Sequence, residues 1–205
     1  MSASPQAGPP ARRRRLGRDA VLAAAEELLD RDGVQALTMT SLAVQLGTKV
    51  SSLYNHVGGL DDLRAQLQRR AILSVGQDVR SAAMGRSGAD GVRHLAQVYV
   101  AWARAHPHRY ELMTRALIDP DDFYAAATDA AEAIAVMVRT LGVPEPEVLR
   151  TQLALFAAIH GYVCAEVTGF FAPRGELGGG ILDGVVEQVV EGAIAAAERV
   201  AAEGR

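Results

Sequence analysis

Apolar residues recur at helical spacing almost throughout the chain from Leu16 onward. In the first such stretch Val21, Leu22, Ala25 and Leu28 lie three and four residues apart, with acidic residues on the opposite side. This period predicts an amphipathic helix. The alternation of apolar and polar residues that would indicate strands is missing from the sequence. We therefore expect an all-α protein of about nine helices.

Glycine and threonine mark the predicted helix ends near the N-terminus. Gly33 should end the first helix, because glycine tolerates the positive φ of a C-cap. Thr38 is a predicted N-cap for a second helix over Met39–Leu46, which a glycine closes. A third short helix is predicted over about Val50–His56. These three helices form a predicted head over residues 16–60.

The rest of the chain, residues 61–205, is predicted to form a larger helical body for effector binding and dimerisation. Gly, Ser and Pro residues break it into segments. The predicted helices are Leu60–Val79, Gly91–His106, Tyr110–Leu117, Asp122–Leu141, Glu147–Phe171 and Ile181–Ala202. Residues 1–15 combine Ser, Pro, Ala and Gly with arginines and are predicted to be a disordered basic leader.

The last two predicted helices are rich in alanine and glycine. Small residues let helix axes approach closely, so two copies of this helix pair are predicted to form a four-helix bundle between subunits. The alternative is that the same faces are buried inside one subunit.

Composition narrows the functional classes. The chain has 205 residues, of which 49% are hydrophobic and 5% aromatic, which suits one or two folded domains. No uninterrupted apolar run reaches the ~18 residues of a membrane span, so no membrane association is expected. One cysteine, Cys164, excludes a disulfide framework and a cysteine-built zinc site. The expected location is the cytoplasm.

The sequence offers no constellation for catalysis. Glu-x-x-His pairs, a Gly-x-Ser-x-Gly elbow, a P-loop and a dinucleotide fingerprint are all missing from it. We therefore expect no enzyme, no catalytic residue, no bound metal and no cofactor.

Charge is unevenly distributed along the chain. The formal net charge is −3, yet residues 1–60 contain more basic than acidic side chains and the remainder more acidic than basic ones. A basic head on an acidic body indicates a polyanionic partner at one end. Plain solvation of a basic tail would give the same distribution.

The segment from Thr38 to Val57 has the spacing of a helix-turn-helix. Ala43 permits close approach of two helices, Gly47 permits a tight turn, and Leu53 anchors the second helix on the first. In such a motif the second helix enters the DNA major groove. Its predicted outward positions are Lys49, Ser51, Ser52, Tyr54, Asn55 and His56. An αα-hairpin with an ordinary polar face remains the alternative.

The wider sequence resembles the TetR family of bacterial transcription regulators. The stretches that carry the resemblance are AVLAAAEELL at residues 20–29, LTMTSLA at 37–43, LG at 46–47 and SLYNHV at 52–57. The resemblance implies a homodimer whose three-helix heads bind double-stranded operator DNA with palindromic sequence, and a body that binds a small-molecule effector.

The resemblance also implies roles for individual residues. The positions that commonly contact phosphate are Thr38, Tyr54 and His56. The positions that usually face bases are Thr40, Val50, Ser51 and Asn55. The sequence departs from the family twice: Leu60 stands where a basic residue is usual, and Lys49 stands where a capping serine is frequent. We expect Lys49 to supply the missing positive charge and Thr48 to be available as the cap.

A run of arginines precedes the first predicted helix. Such an arm can enter the minor groove or follow the phosphates, as basic N-terminal arms do, although simple solvation explains it as well. Its members are Arg12, Arg13, Arg14 and Arg15.

Two short elements of the body resemble one TetR subgroup: His-Pro-x-x-Tyr at residues 106–110 and His-Gly at 160–161, although Ile159 replaces a tryptophan. Aromatic residues are scarce, so those in the body are the candidates for an effector pocket, with ordinary core packing as the alternative. The predicted ligand-binding residues are Trp102, Tyr110, Met113, Phe123, Phe156 and His160. They favour a hydrophobic or aromatic effector with one or two hydrogen-bonding groups.

The sequence thus predicts a ligand-responsive DNA-binding transcriptional regulator, most often a repressor in this family. The predicted fourth helix would carry repacking of the body to the heads. The alternative is a helical ligand-binding or scaffold protein without DNA binding.

Overall fold

The computed structural model describes residues 16–167, 169–171 and 178–203. Within these ranges the chain forms nine α-helices, one short 3-10 helix (Val34–Ala36) and no strand, which confirms the predicted all-α class. In chain order the α-helices are α1 (Arg18–Asp32), α2 (Met39–Gln45), α3 (Val50–Leu53), α4 (Leu60–Ala83), α5 (Gly88–Ala105), α6 (Pro107–Met113), α7 (Pro120–Arg139), α8 (Glu145–Val167) and α9 (Gly178–Glu203).

Local signals set the helix ends in the head. The α1 helix ends at Gly33, whose φ is +81° and whose N–H donates to the carbonyl of Leu29 at 2.9 Å. Thr38 caps α2, since its Oγ1 accepts from the Ser41 N–H at 3.1 Å and the Ser41 Oγ accepts from the Thr38 N–H at 3.1 Å. Gly47, with a φ of +60°, turns the chain toward α3. The predicted cap and both glycine ends are confirmed.

Several predicted helix boundaries are wrong. The α4 helix continues to Ala83, α5 begins at Gly88, α6 ends at Met113 instead of Leu117, and α8 ends at Val167 instead of Phe171. The α3 helix ends at Leu53 and continues as a turn, and its N-cap residue is Lys49, which makes no side-chain cap; Thr48 is not the cap. The α6 helix begins at Pro107, which was predicted to be a break, because proline lacks the N–H that a first helical turn leaves unpaired.

The head core is made almost entirely of aliphatic side chains. They come from α1, α2 and α3 with the segments that connect and follow these helices, and from the first two turns of α4; one more, Leu112, comes from α6. The fully buried leucines among them are Leu37, Leu42, Leu53 and Leu63. Burial of these side chains, at roughly 1.5–3 kcal/mol each, orders three helices that would be too short to persist alone.

A second core lies in the body and shares α4 with the first. Further along α4, Ala71, Val75 and Val79 belong to a core cluster with residues of α5 to α9, and α4 itself contacts α5, α6 and α7. The α4 helix therefore belongs to both cores, and its 24 residues run as one continuous helix from the head into the body.

The α8 helix has one buried and one exposed face. Leu155, Ile159 and Val163 are buried in the body core. The opposite face exposes apolar and small residues: Leu149, Leu153, Ala154, Ala157 and Gly161. In the described part of the chain, α8 alone has the length and mean hydropathy of a membrane-crossing helix, by those criteria only.

Candidate DNA-binding surface and ligand cavity

The outer face of α3 and the turn after it carry a patch of polar side chains. The exposed members are Lys49, Ser51, Tyr54 and Asn55, and the half-buried members are Val50, Ser52 and His56. Leu53 and Val57 are buried beneath them and hold the patch on the head core. Tyr54 is 57% exposed, so its phenol projects from the surface.

Thr38 and Thr40 extend this patch onto the start of α2, where both are exposed. We call Thr38, Thr40 and residues 49–56 the recognition surface. Its hydroxyl, amide and phenol groups can donate to phosphate oxygens and bond with base edges. The structure therefore brings together the predicted DNA-binding residues outside the leader.

Positive charge on the recognition surface comes from Lys49. Leu60, at the start of α4, is half-buried and packs against the head core, so this position supplies no cation. Asp62 in the same turn accepts a hydrogen bond from the Gly58 N–H at 2.6 Å and so holds the turn after α3. The predicted arm of Arg12, Arg13, Arg14 and Arg15 lies outside the described residues, and its role stays a prediction.

The body contains a small apolar cavity between α4, α5, α7 and α8. Its volume is about 40 Å³, and its lining residues are Val79, Leu95, Tyr99, Ile134, Gln152, Leu155, Phe156 and Ile159. Phe156 is 46% exposed and forms the outer wall. A cavity of this size holds a few heavy atoms, and a larger molecule would need Phe156 to move.

Hydrogen-bonding side chains adjoin Tyr99 and Phe156 of the cavity wall. The hydroxyl of Tyr110 and the Nδ1 of His160 are 2.5 Å apart, and the His160 Nε2 is 3.5 Å from the Sγ of Cys164. Phe156 stacks on His160 with ring centroids 5.6 Å apart, and Tyr99 meets Tyr110 edge to face at 6.2 Å. We call Tyr99, Tyr110, His160 and Cys164 the polar cluster.

The two tyrosines and the histidine of the polar cluster are uncharged near neutral pH. Burial lowers the pKa of His160 below its ordinary value, because a desolvated imidazolium is disfavoured. Burial raises the pKa of Tyr110, so its phenol keeps its proton. Such a site suits neutral groups, since a buried unpaired ion is costly.

The short helix α6 joins this site to the head. Tyr110 points into the body, where it contacts His160. One residue earlier, Arg109 binds Asp30 of α1 through two hydrogen bonds of 2.8 and 2.5 Å. Leu112 is buried in the head core. The α6 helix therefore has one side in each region.

Gln68 of α4 holds the chain that follows α6. Its side-chain amide donates to the carbonyls of Leu112 and Ala116 at 3.1 and 3.2 Å. Its Oε1 accepts from the N–H of Ile118 at 3.3 Å. The connector from α6 to α7 is thereby fixed to the helix that links the two cores.

Comparison with known proteins identifies the family. Residues 92–200 match the family described as "Tetracyclin repressor-like, C-terminal domain". Over 161 residues the chain is 36% identical to the "Uncharacterized HTH-type transcriptional regulator Rv0681" of Mycobacterium tuberculosis, a match that covers 78% of this chain and 74% of that protein. The chain belongs to the TetR family. It is a DNA-binding transcriptional regulator of the helix-turn-helix type.

The chain is also similar to a named repressor and to a protein whose structure was solved with a ligand. The chain is 28% identical to the "HTH-type transcriptional repressor DrrR1" of Streptomyces coeruleorubidus over 151 residues, which cover 71% of this chain and 50% of that protein. The solved structure of ActR from Streptomyces coelicolor in complex with (S)-DNPA has a TM-score of 0.61 at 18% identity and covers 89% of this chain and 99% of that one. At that identity the similarity shows the fold alone.

Within this TetR fold, three of the six predicted ligand residues lie together at the cavity or beside it: Phe156, Tyr110 and His160. The other three lie outside the lining. The indole of Trp102 donates to the Ser74 hydroxyl at 3.1 Å, Met113 is buried in the body core, and Phe123 is half-buried against Tyr124.

Tyr99 and the aliphatic residues of the cavity lining are not among the predicted ligand-binding residues. Tyr99 lies four residues after Leu95 and four before Ala103, on the buried face of α5. This spacing places it in the interior, but a periodicity cannot distinguish a residue that borders a cavity from one in close packing.

Proposed function

We propose that this TetR-family regulator is a homodimeric repressor that acts in the cytoplasm. Two recognition surfaces bind a palindromic operator, and a small hydrophobic effector in the body cavity releases it. The observation that carries the proposal is the position of α6, which joins the cavity wall through Tyr110 to the head through Arg109 and Leu112. The name of DrrR1 supports repression rather than activation, and the ligand complex of ActR supports regulation by an effector.

The coupling follows from two alternative packings of α6. An effector against the polar cluster displaces Tyr110 and shifts α6 with it, because the residue is fixed on the helix. Arg109 and Leu112 then change the orientation of the head. The effector weakens DNA binding only by its differential affinity for the two packings, typically ~1–3 kcal/mol.

DNA binding is tested with Tyr54→Ala. We expect this variant to lose about tenfold in affinity for the DNA upstream of its own gene, and to lose it on every operator variant, since a phosphate contact positions the protein without specifying sequence. Fluorescence anisotropy at several salt concentrations measures both affinity and salt dependence. The matched control is Tyr124→Ala, which removes a tyrosine 64% exposed on α7 of the body.

Three outcomes contradict parts of this proposal. An altered sequence preference at unchanged affinity would move Tyr54 from the phosphates to the bases. Equal losses in Tyr54→Ala and Tyr124→Ala would remove the recognition surface from the interface. A parent protein without salt-dependent binding to duplex DNA would favour the alternative, a helical ligand-binding or scaffold protein.

The dimer interface is proposed on α8 and α9. The exposed face of α8 carries Leu149, Leu153, Ala154, Ala157 and Gly161, and α9 exposes Gly184 and Gly192. Large apolar side chains beside small ones allow two helix pairs to pack closely as a four-helix bundle. A two-fold axis through such a bundle matches the symmetry of a palindrome.

Leu153→Arg tests the interface, because Leu153 is 56% exposed in the isolated chain at the centre of this face. We expect the variant to be a folded monomer at micromolar concentration by light scattering, whereas the parent is a dimer. The control Val136→Arg places the same charge on α7, where Val136 is 50% exposed, and should remain a dimer. A monomeric parent, or a dimeric Leu153→Arg, would contradict the proposal.

A further inference from the structure

Tyr99 has a buried hydroxyl that lacks a hydrogen-bond partner within the described part of the chain. Its ring lines the cavity and meets both Tyr110 and Phe156 edge to face, at 6.2 and 6.3 Å. The neighbouring Tyr110 hydroxyl lies 2.5 Å from the Nδ1 of His160. Buried hydroxyl groups are nearly always paired, so an unpaired one at a cavity wall indicates a partner supplied by a ligand.

The hydroxyl of Tyr99 is available as a donor. Burial raises the pKa of Tyr99 to about 12, so the phenol is protonated at neutral pH. The other polar lining residue, Gln152, donates from its amide nitrogen to the Ala131 carbonyl at 3.0 Å. Tyr99 is thus the lining residue whose buried donor is unused.

The remainder of the lining selects against charge. Among the lining residues that the structure describes, none is acidic or basic, and six are aliphatic or aromatic hydrocarbons. His160 beside the cavity is neutral, because burial lowers its pKa. A carboxylate or phosphate placed here would be desolvated without a cation to pair with it.

We propose that Tyr99 anchors the effector through a hydrogen bond to a carbonyl oxygen, and that the effector is a neutral hydrophobic molecule with a carbonyl group. The carbonyl accepts the Tyr99 proton inside the cavity, and the hydrocarbon part extends past Phe156 toward the surface. This inference rests on the proposed function, since it assigns the chemistry of the same effector cavity.

Three single-ring probes of similar shape distinguish the Tyr99 anchor from the more general hypothesis that the cavity is the effector site. They are acetophenone, ethylbenzene and benzoate. Their dissociation constants are measured by protein-observed NMR on the full chain. We expect acetophenone to bind about tenfold more tightly than ethylbenzene, as one hydrogen bond to an otherwise unpaired buried donor provides. Benzoate should bind more weakly than either.

Tyr99→Phe tests the anchor because it removes only the hydroxyl. We expect this variant to bind acetophenone and ethylbenzene equally, with the ethylbenzene affinity unchanged. The matched control is Tyr162→Phe, which removes a hydroxyl engaged with Arg104 and Glu166 and should retain the tenfold preference. Unchanged ethylbenzene binding in Tyr99→Phe also demonstrates that the variant folds.

Each remaining outcome overturns a defined statement. A preference for acetophenone that survives in Tyr99→Phe, or tightest binding of benzoate, overturns the Tyr99 anchor while the cavity remains the effector site. Binding of acetophenone and ethylbenzene to the parent with equal affinity also overturns the Tyr99 anchor alone. Failure of all three probes to bind at millimolar concentration overturns both the anchor and the effector role of this cavity.

Discussion

The head and the body bury different kinds of side chain. The head core consists of closely packed aliphatic groups, with Leu37, Leu42 and Leu53 fully buried. The body core instead surrounds a cavity of about 40 Å³ with the polar cluster beside it. Close packing resists repacking, whereas a cavity with movable walls permits it. The difference indicates a rigid DNA-contacting unit attached to a region that can change shape.

Truncating one buried leucine in each core should reveal the largest difference between the head and the body, in the free energy of unfolding. We expect Leu53→Ala to lower the free energy of unfolding by about 3–5 kcal/mol, because it opens a new cavity in a closely packed core. Leu155→Ala should cost less, about 2–3 kcal/mol, since Leu155 already borders a cavity and loses fewer contacts. Urea denaturation at one fixed protein concentration measures both.

Val44→Ala serves as the control for this pair, because Val44 is highly exposed on α2. Its effect should stay within about 0.5 kcal/mol. If Leu155→Ala lowered the free energy of unfolding more than Leu53→Ala, the head would be the region that repacks more easily, contrary to the difference drawn above.

The ion pair between Arg109 and Asp30 tests how strongly the two regions are joined. A double-mutant cycle with alanine at both positions should give a coupling of about 0.5–1 kcal/mol at low salt, less in 1 M salt, because the pair is bidentate but partly exposed. A control cycle on Arg150 and Glu147, a pair within α8, should give less than about 0.5 kcal/mol. Equal couplings would mean that the bridge adds nothing beyond an ordinary surface pair.

Lowering the pH should reduce the free energy of unfolding through His160, and this is the smallest of the expected effects. Its pKa is lowered by burial in the folded chain, so between the ordinary value of about 6.5 and that lowered value the unfolded chain binds the additional proton. Stability from this group is therefore complete above about pH 6.5 and declines as the pH falls below it. We expect a smaller decline in His160→Gln, measured by urea denaturation from pH 8 to pH 5. An identical decline in parent and variant would exclude His160 as the source.

The helices of the head could be predicted because their signals are local. Thr38 and Ser41 form a capping box three residues apart, and Gly33 and Gly47 end helices by their own backbone preference. The recognition surface follows directly, since α3 is so short that its polar residues can only face outward once Leu53 is buried. All of this information lies within about twenty consecutive residues.

The cavity and the ion pair between α6 and α1 could not be predicted in the same way, because they bring together distant parts of the chain. Arg109 and Asp30 are 79 positions apart, and Tyr110 and His160 are 50 apart. The long apolar sequence of α8 gives no sign that Leu155 faces the core while Leu153 faces outward. Trp102 shares the aromatic character of Phe156 yet lies outside the lining, since its indole is directed to Ser74.

The hydrogen bonds of the Gln68 side chain should affect how freely the surrounding residues vary among related chains. Every partner of its amide is a backbone atom, in Leu112, Ala116 and Ile118, and a backbone atom is present whatever side chain the residue carries. The connector can therefore accumulate substitutions without losing this attachment. The reverse does not hold, because no single replacement in the connector restores three hydrogen bonds once the glutamine is gone. Among related chains we expect position 68 to vary less than the residues it holds, and a comparison of their sequences would measure this.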